Sequence, residues 1–446
     1  MTGGVTGVRA QDSREEQPVP SSPADDLTAI QRLFRPPPPP PLTLFPEIRQ
    51  ELSDAPALFR DSKFGINFRS YYRDQVTNST GSPTAINEAW AAGGSHAFET
   101  GRILDRLWGG AVFYTSLPLY APAEYDGTGL LLPRQLGYDV VGQAYGKLQL
   151  FGDSVFTAGR YLYDTPFIGP QDNRMTPNTF GGYVLQGSIG NARSGPVFRY
   201  GGGFIDEIKP RNANTFQSMA RAAGANADYG TGVVGGLLNW GPASLGAIEY
   251  YTQDTINIAY IEGKYGFSLA PESNAIVALQ YADQRSTGLN LLNGGNYFST
   301  NEFGAKVDLG YRTAILTLGF STINPSFQMQ SPWSANPFYT DAQIRTFQRA
   351  GEQTAAAGLS YVFTRLGLNG IAASIFFYDG WTDAAAAGGP LVENEVDFNL
   401  EWRPNWEYLP GLWLRARYGR AATSQNNMLT SVDDVRLILN YAVNLY

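Results

Sequence analysis

The chain has 446 residues, with 16% charged and 43% hydrophobic residues, 50 glycines, 26 tyrosines and a formal net charge of −8. It has no cysteine, which excludes disulfides, thiolate metal sites and cysteine nucleophiles, and its acidic balance opposes nucleic-acid binding, which needs a basic footprint. No run of about 18 apolar residues occurs, so no transmembrane helix is predicted, whereas polarity carried by Gly, Asn, Ser, Thr, Gln and Tyr suits a sheet with one face in lipid and one in water.

Residues 1–60 stand apart from the rest. They hold acids, Ser and Pro, and end in the run Pro36 to Pro41, which favours a stiff, extended, solvated backbone. Val8-Arg9-Ala10-Gln11 resembles the tail of a signal-peptide cleavage site, so residues 1–10 are a candidate signal remnant, although the apolar core that precedes such a site is missing. Ala29 to Phe34 has the pattern of one or two helical turns. The segment is expected to be a disordered, Pro-rich periplasmic leader, with contact to the cell wall or a partner as the sharper alternative.

From Asp61 the pattern changes to period 2, the signature of strands. Phe64, Ile66, Phe68 and Tyr72 alternate with Lys63, Asn67, Arg69 and Tyr71. Later, Ala305, Val307, Leu309 and Tyr311 alternate with Lys306 and Asp308, and Leu412, Leu414, Ala416 and Tyr418 alternate with Trp413, Arg415 and Arg417. The final segment sets Val435, Leu437, Leu439, Tyr441 and Val443 against Asp434, Arg436, Ile438, Asn440 and Ala442. Pleating sends such sets to opposite faces. The predicted strands are 62–72, 95–102, 107–118, 138–150, 155–163, 181–190, 196–205, 230–240, 243–252, 255–267, 274–283, 300–310, 313–321, 354–364, 369–379, 392–403, 411–420 and 434–445, an even count of 18.

Connection lengths separate a membrane barrel from a soluble sandwich. Tight links at Gly152-Asp153, Gly241-Pro242, Arg312 and Leu366-Gly367 alternate with long ones at 73–94, 119–137, 164–180, 206–229, 284–299, 322–353, 380–391 and 421–433. Only the link near Gln253-Asp254 breaks this rhythm. Short periplasmic turns and long extracellular loops are what an outer-membrane barrel requires. Closing the sheet pairs every backbone group in lipid without leaving an edge, and about 16–18 strands leave an aqueous interior. Tyr250-Tyr251, Phe376-Phe377-Tyr378, Trp402, Trp406 and Tyr446 fall near strand ends, where aromatic girdles sit. The expected fold is therefore an all-β transmembrane antiparallel barrel of about 18 strands in the outer membrane of a Gram-negative bacterium.

Several segments, in order along the chain, resemble the OprD-type porin family. They include Asp126-Gly127-Thr128-Gly129-Leu130-Leu131, Gln143-Ala144-Tyr145-Gly146-Lys147-Leu148, Thr157-Ala158-Gly159-Arg160, Asp164-Thr165-Pro166-Phe167, Asp172-Asn173-Arg174-Met175 and Pro177-Asn178-Thr179-Phe180. Ser334-Ala335-Asn336-Pro337-Phe338, Arg349-Ala350-Gly351-Glu352 and Gly358-Leu359-Ser360-Tyr361 follow. Each piece is weak alone; their order from about Phe59 to the C-terminus is the specific feature. The resemblance implies 18 strands, the count adopted above, around a narrow and monomeric pore. It also implies a row of basic lumen residues facing acidic groups from inward-folded loops, and a preference for small carboxylate-bearing solutes, basic amino acids among them.

The charges that alternation turns inward are the candidate pathway. Glu393, Glu395, Asp397, Asn399 and Glu401 share one face, Arg415 and Arg417 another, and a simple hairpin brings Asp397 near Arg417 and Asn399 near Arg415. Neither set belongs in lipid, where an Arg at the midplane costs about 2–4 kcal/mol. Guanidinium forks can hold a solute carboxylate through two parallel hydrogen bonds and pass it on. Arg160, Arg174, Lys306, Arg415 and Arg417 form the candidate basic ladder, with Lys147, Arg69 and Arg436 behind them. The family segments favour Arg174, Arg415 and Arg417. The bland alternative is that these charges pair with each other and brace the wall. The connection 164–180, the third long loop, is expected to fold inward as an eyelet stiffened by Pro166, Pro170 and Pro177, with Asp164, Asp172 and Arg174 toward the lumen. The loop 322–353, with Asn336, Asp341, Arg345 and Arg349, is expected to dip into the mouth.

The single histidine, His96, lies on a predicted strand near Glu99, and no serine motif accompanies it, so an enzyme is not expected. Gln171-Asp172-Asn173 lacks the spacing of a calcium loop, so neither metal nor cofactor is predicted. The reading is a passive, substrate-preferring porin whose partners are outer-membrane lipid, lipopolysaccharide and small solutes. The alternative is a structural or adhesive barrel plugged by its own loops.

Overall fold

The computed structural model describes residues 41–191, 195–383, 389–406 and 408–446. Among the described residues, eighteen strands of seven or more residues follow one another in chain order and build the barrel. They are β1 (Lys63–Ser79), β2 (Ala85–Glu99), β3 (Leu107–Tyr120), β4 (Tyr138–Gln149), β5 (Val155–Tyr161) and β6 (Thr179–Gly190). Then come β7 (Val197–Lys209), β8 (Thr231–Trp240), β9 (Ala243–Thr252), β10 (Ile256–Ala270), β11 (Ser273–Arg285) and β12 (Ser299–Tyr311). The last six are β13 (Ala314–Ile323), β14 (Glu352–Val362), β15 (Ile371–Thr382), β16 (Leu391–Trp402), β17 (Leu412–Gln425) and β18 (Met428–Asn444). Each pairs antiparallel with the next, and β18 returns to β1 from Gly65 opposite Asn444 to Ser79 opposite Thr430. The barrel is closed, so its backbone groups are paired within the hydrocarbon layer.

Side chains obey the alternation read from the sequence. Phe68, Leu437, Leu439, Leu279 and Phe303 are exposed on the outside, whereas Arg69, Tyr71, Asp434, Arg436, Gln280 and Glu302 are buried on the inner face. Short turns such as 241–242, 271–272 and 312–313 close one end, and the connections 121–137, 162–178, 210–230, 286–298 and 324–351 crowd the other.

Two expected long loops are strand instead. β1 and β2 run on through most of 73–94 and are joined by residues 80–84. β17 and β18 run on through 421–433 and are joined by Asn426-Asn427, whose φ angles of +50° and +64° form a two-residue hairpin turn. The outer faces there carry Tyr72 bonded to Glu88 at 2.7 Å and Tyr418 bonded to Asp433 at 2.6 Å. These polar outer residues break the apolar-out signal that marks a strand in lipid, which is why sequence periodicity loses the strands at that height.

The leader also departs from expectation over residues 42–60. Leu42–Thr43 pairs in parallel with Val443–Asn444, and short helices α1 (Pro46–Glu51) and α2 (Ala57–Arg60) follow. The amide of Gly101 donates to the carbonyl of Leu58 at 2.9 Å, tying this segment to the β2–β3 turn. The candidate signal remnant, the helical pattern at 29–34 and most of the proline run lie outside the described residues.

Inside the barrel, two regions differ in chemistry. Along β6 to β13, the connections contribute Phe167, Ile168, Met219, Met329, Trp333 and Phe338 to one apolar cluster, which packs on the wall residues Phe180, Ile205, Tyr250, Ile258, Tyr260 and Ala282. The inner faces of β16, β17, β18 and β1 are instead lined by charged and amide side chains. A cavity lies on this charged side of the barrel.

Candidate permeation site

Strand register builds the site. Asn399 of β16 stands opposite Arg417 of β17, Arg417 opposite Arg436 of β18, and Arg436 opposite Arg73 of β1. Three guanidinium side chains thus occupy one rung across neighbouring strands. Asp434 makes this tolerable. It accepts from Arg73 Nη2 at 2.5 Å and from Arg436 Nε at 2.6 Å, with Gln75 Nε2 at 3.1 Å. One rung down, Arg415 Nε donates to Asn399 Oδ1 at 2.5 Å and lies 3.3 Å from Glu401. The predicted meeting of Asn399 with Arg415 therefore occurs, as a diagonal contact and not a directly opposed one.

Two loops close over this wall. In 162–178, Asp172 receives both arms of Arg69, at 2.5 and 2.9 Å, and the carbonyl of Arg174 accepts from Arg69 Nη1 at 2.7 Å. In 324–351, the amide of Gln343 donates to Asp397 Oδ2 at 2.9 Å, and the amides of Ile344 and Arg345 donate to the two oxygens of Glu395, each at 2.7 Å. Arg349 reaches Glu393 at 3.0 Å. A cavity of about 300 Å³ remains between loops and wall, lined by Asn173, Asp341, Ser374, Phe376, Tyr378, Asp397, Asn399, Arg415, Arg417 and Arg436. Arg417 Nε and Asp397 Oδ1 have no hydrogen-bond partner in the protein. Both atoms are enclosed by their neighbours, while the residues that carry them line the space.

The loops also bring charge. Arg211, from the connection 210–230, donates to Asn173 Oδ1 at 2.5 Å. Burial, and then the like charges of Arg73, Arg211 and Arg436, hold the Arg174 guanidinium well below its ordinary pKa. Burial pushes the Asp341 carboxyl up to about 8, against a hydrogen bond from Asn336. The like charges around Arg174 favour an added negative group beside it, whereas burial disfavours one at Asp341.

Not every predicted residue joins this site. Arg174, Arg415, Arg417, Asp172 and Asp397 do, together with Arg69 and Arg436 from the second rank. Lys306 points inward but belongs to another sector, 3.2 Å from Asp308 and 5.2 Å from the ring centre of Tyr339. Lys147 is likewise elsewhere, donating to Tyr161 at 2.8 Å. Asp164 stays beside Gly169 and is not part of the cavity lining. Arg160 corrects the reading: it lies on the outer face with Gly181, bonded to Glu207 at 2.8 Å and stacked on Phe216. Its neighbour Tyr161 takes the inward position, and strand alternation allows only one of the two to do so. Glu395 is inside but is taken up by loop amides, so it presents no free carboxylate to a solute.

Arg73, Asp434 and Arg211 join the site without a place in the expected ladder. Arg73 continues the inward series Arg69, Tyr71, Arg73 and falls just beyond the predicted strand end at residue 72, while Asp434 is two residues before Arg436 on the same face. Arg211 arrives on a loop, where no periodicity marks it. His96 lies on the outer face with its ring 6.2 Å from Phe113, whereas Glu99 accepts from the inward Tyr145 at 2.8 Å, so the two do not form a catalytic pair.

The family model for outer membrane porins of the OprD family matches residues 57–445. Pseudomonas aeruginosa OpdK, solved with vanillate, is similar at 19% identity and a TM-score of 0.75, over 87% of this chain and 100% of that one. OccK9 (OpdG) of the same organism is similar at 21% identity and a TM-score of 0.77, over 87% and 100%. OccK2 (OpdF), solved in complex with glucuronate, is similar at 19% and 0.72, over 88% and 100%. At these identities the structures speak for the fold alone. No curated protein matches the chain.

Proposed function

The chain belongs to the OprD family of outer membrane porins, and from that premise we propose that it admits small carboxylate-bearing solutes, organic acids or amino acids, through the off-centre cavity between β15–β18 and the two infolded loops. The family is one of channels in the bacterial outer membrane and not of enzymes.

The observation that carries the proposal is the rung of Arg417, Arg436 and Arg73, of which Arg417 and Arg436 line the cavity together with Arg415. A carboxylate entering there would meet guanidinium groups able to form charge-assisted hydrogen bonds with it. It would also meet Arg415, one rung along, so binding is followed by hand-over and not capture. Vanillate and glucuronate, seen with two similar porins, both carry a carboxylate, which supports the same reading. Asp397 also lines this space, and an ammonium on the solute would find a carboxylate there.

Uptake of labelled small acids, amino acids and sugars into proteoliposomes tests this. Acids and amino acids are expected to enter faster than neutral sugars of equal size, and Arg417→Ala is expected to slow them about tenfold, the loss of one charged hydrogen bond. Equal rates for sugars and acids through the folded wild type would overturn it.

A further inference from the structure

We propose that the acidic strip of β16 is a latch: Glu395 and Asp397 are positioning residues that hold the limb 343–347 of loop 324–351 in a trough of the barrel wall, and the seating of that limb sets the width of the eyelet.

The hydrogen bonds are specific to backbone. Three consecutive amides, those of Gln343, Ile344 and Arg345, donate to the carboxylates of Asp397 and Glu395 at 2.9, 2.7 and 2.7 Å. Both oxygens of Glu395 are used. Adjacent inward carboxylates on one strand repel each other unless something supplies positive character. Here main-chain N–H groups do so, in chain order, along the strip.

The wall is shaped for the same limb. Gly380 stands opposite Glu393 and Gly419 opposite Asp397, one on each side of the strip. A Cβ at position 419 would come 3.0 Å from Gln343 Nε2 and 3.1 Å from Ile344 Cδ1. One at 380 would come 2.6 Å from Phe347 Cδ1. Glycine weakens a strand unless close approach requires it, and here it makes the floor of the trough. Phe347 fills that floor and stacks on Tyr378 with ring centres 5.8 Å apart.

The polar part of this seating is reversible: amides that leave the strip can pair with lumen water, so their net preference for it is the small difference between two hydrogen-bonded states, to which burial of Phe347 beside Tyr378 adds. An unlatched limb frees the space beside Asp397 and widens the cavity. The channel is therefore expected to have a quiet main state and wider, short-lived states.

The test needs no knowledge of the solute, so its failure is distinct from failure of the carboxylate reading. The full chain with Glu395→Ala and Asp397→Ala is recorded in a planar bilayer in potassium chloride. Its main conductance is expected to rise roughly twofold or more, with frequent transitions among levels, while an unheated gel shows the barrel still folded. Glu395→Gln alone, which keeps one acceptor oxygen, is expected to fall between. Gly419→Val keeps every charge while its side chain fills the trough floor against Gln343 and Ile344, and in the folded chain it is expected to raise the conductance as the double variant does. Unchanged conductance and quiet traces in the folded double variant would overturn the latch, as would a rise that Gly419→Val does not reproduce, since that rise would come from lost charge alone.

Discussion

Loop 324–351 belongs to both interior regions, and its two limbs are held in different proportions, the first by a large apolar cluster and the second by carboxylates with one aromatic anchor, Phe347 on Tyr378. Its first limb gives Met329, Trp333 and Phe338 to the apolar cluster on the β6–β13 side. Its second limb gives three backbone amides to carboxylates on β16. Apolar burial is indifferent to charge and grows with area, so the first limb and loop 162–178 form a fixed plug. The polar seating is balanced against hydration, so the second limb is the adjustable part. A channel that needs a rigid body and a tunable aperture finds each in a different half of its lumen.

The contrast is broken most strongly by attacking the plug. Phe167 is fully buried and meets Tyr250, Tyr260 and Phe338 edge-on. Phe167→Ala is expected to cost about 3–5 kcal/mol, read as a lower urea midpoint, and to raise conductance through collapse of both loops. If its stability matches wild type, the cluster is not what fixes the loops.

Arg69→Ala tests the polar tie of the same plug. It removes the ion pair to Asp172 and the bond to the Arg174 carbonyl, and is expected to cost about 1–3 kcal/mol. The cost should sit at the lower end, because the Asp172 side chain is 47% exposed and can turn to water. The apolar cluster should keep the loop seated, so conductance in salt should change little while transfer of acids slows. A large opening would show that Arg69, and not the cluster, holds loop 162–178.

The smallest effect concerns pH. Burial first, and then the nearby Asp397 charge, raise the Asp341 carboxyl to about 8, so it is mostly neutral at pH 7. For a carboxyl raised in the fold, the stabilising preference for the neutral form is present at low pH and is lost as pH rises through about 8. Ionisation adds a negative charge to the cavity. Uptake of a small acid is therefore expected to fall, on the order of twofold, between pH 7 and 9, and Asp341→Asn should flatten that change. A fall of equal size in the variant would assign it to another group.

Much of the site is legible in the chain because alternation fixes faces. Period 2 alone turns the acidic series of β16 and the pair Arg415 and Arg417 inward, and in the folded barrel both sets face the lumen. Arg160 shows the limit of carrying a residue over by motif: its strand turns Tyr161 inward and sends the arginine out. Periodicity misses Arg73 for the opposite reason, since its outward neighbours Tyr72 and Asp74 are polar above the lipid and hide the strand.

The amino-acid order by itself determined a closed two-faced sheet, with apolar residues toward lipid and ionic residues around a hollow, because period 2 needs no partner to be legible. Only the tertiary structure decided which charges meet. Arg417, Arg436 and Arg73 share a rung through strand register, and Glu395 is taken up by loop amides through the docking of a distant segment. Register and docking are set by contacts between residues far apart in the chain, and no local pattern records them.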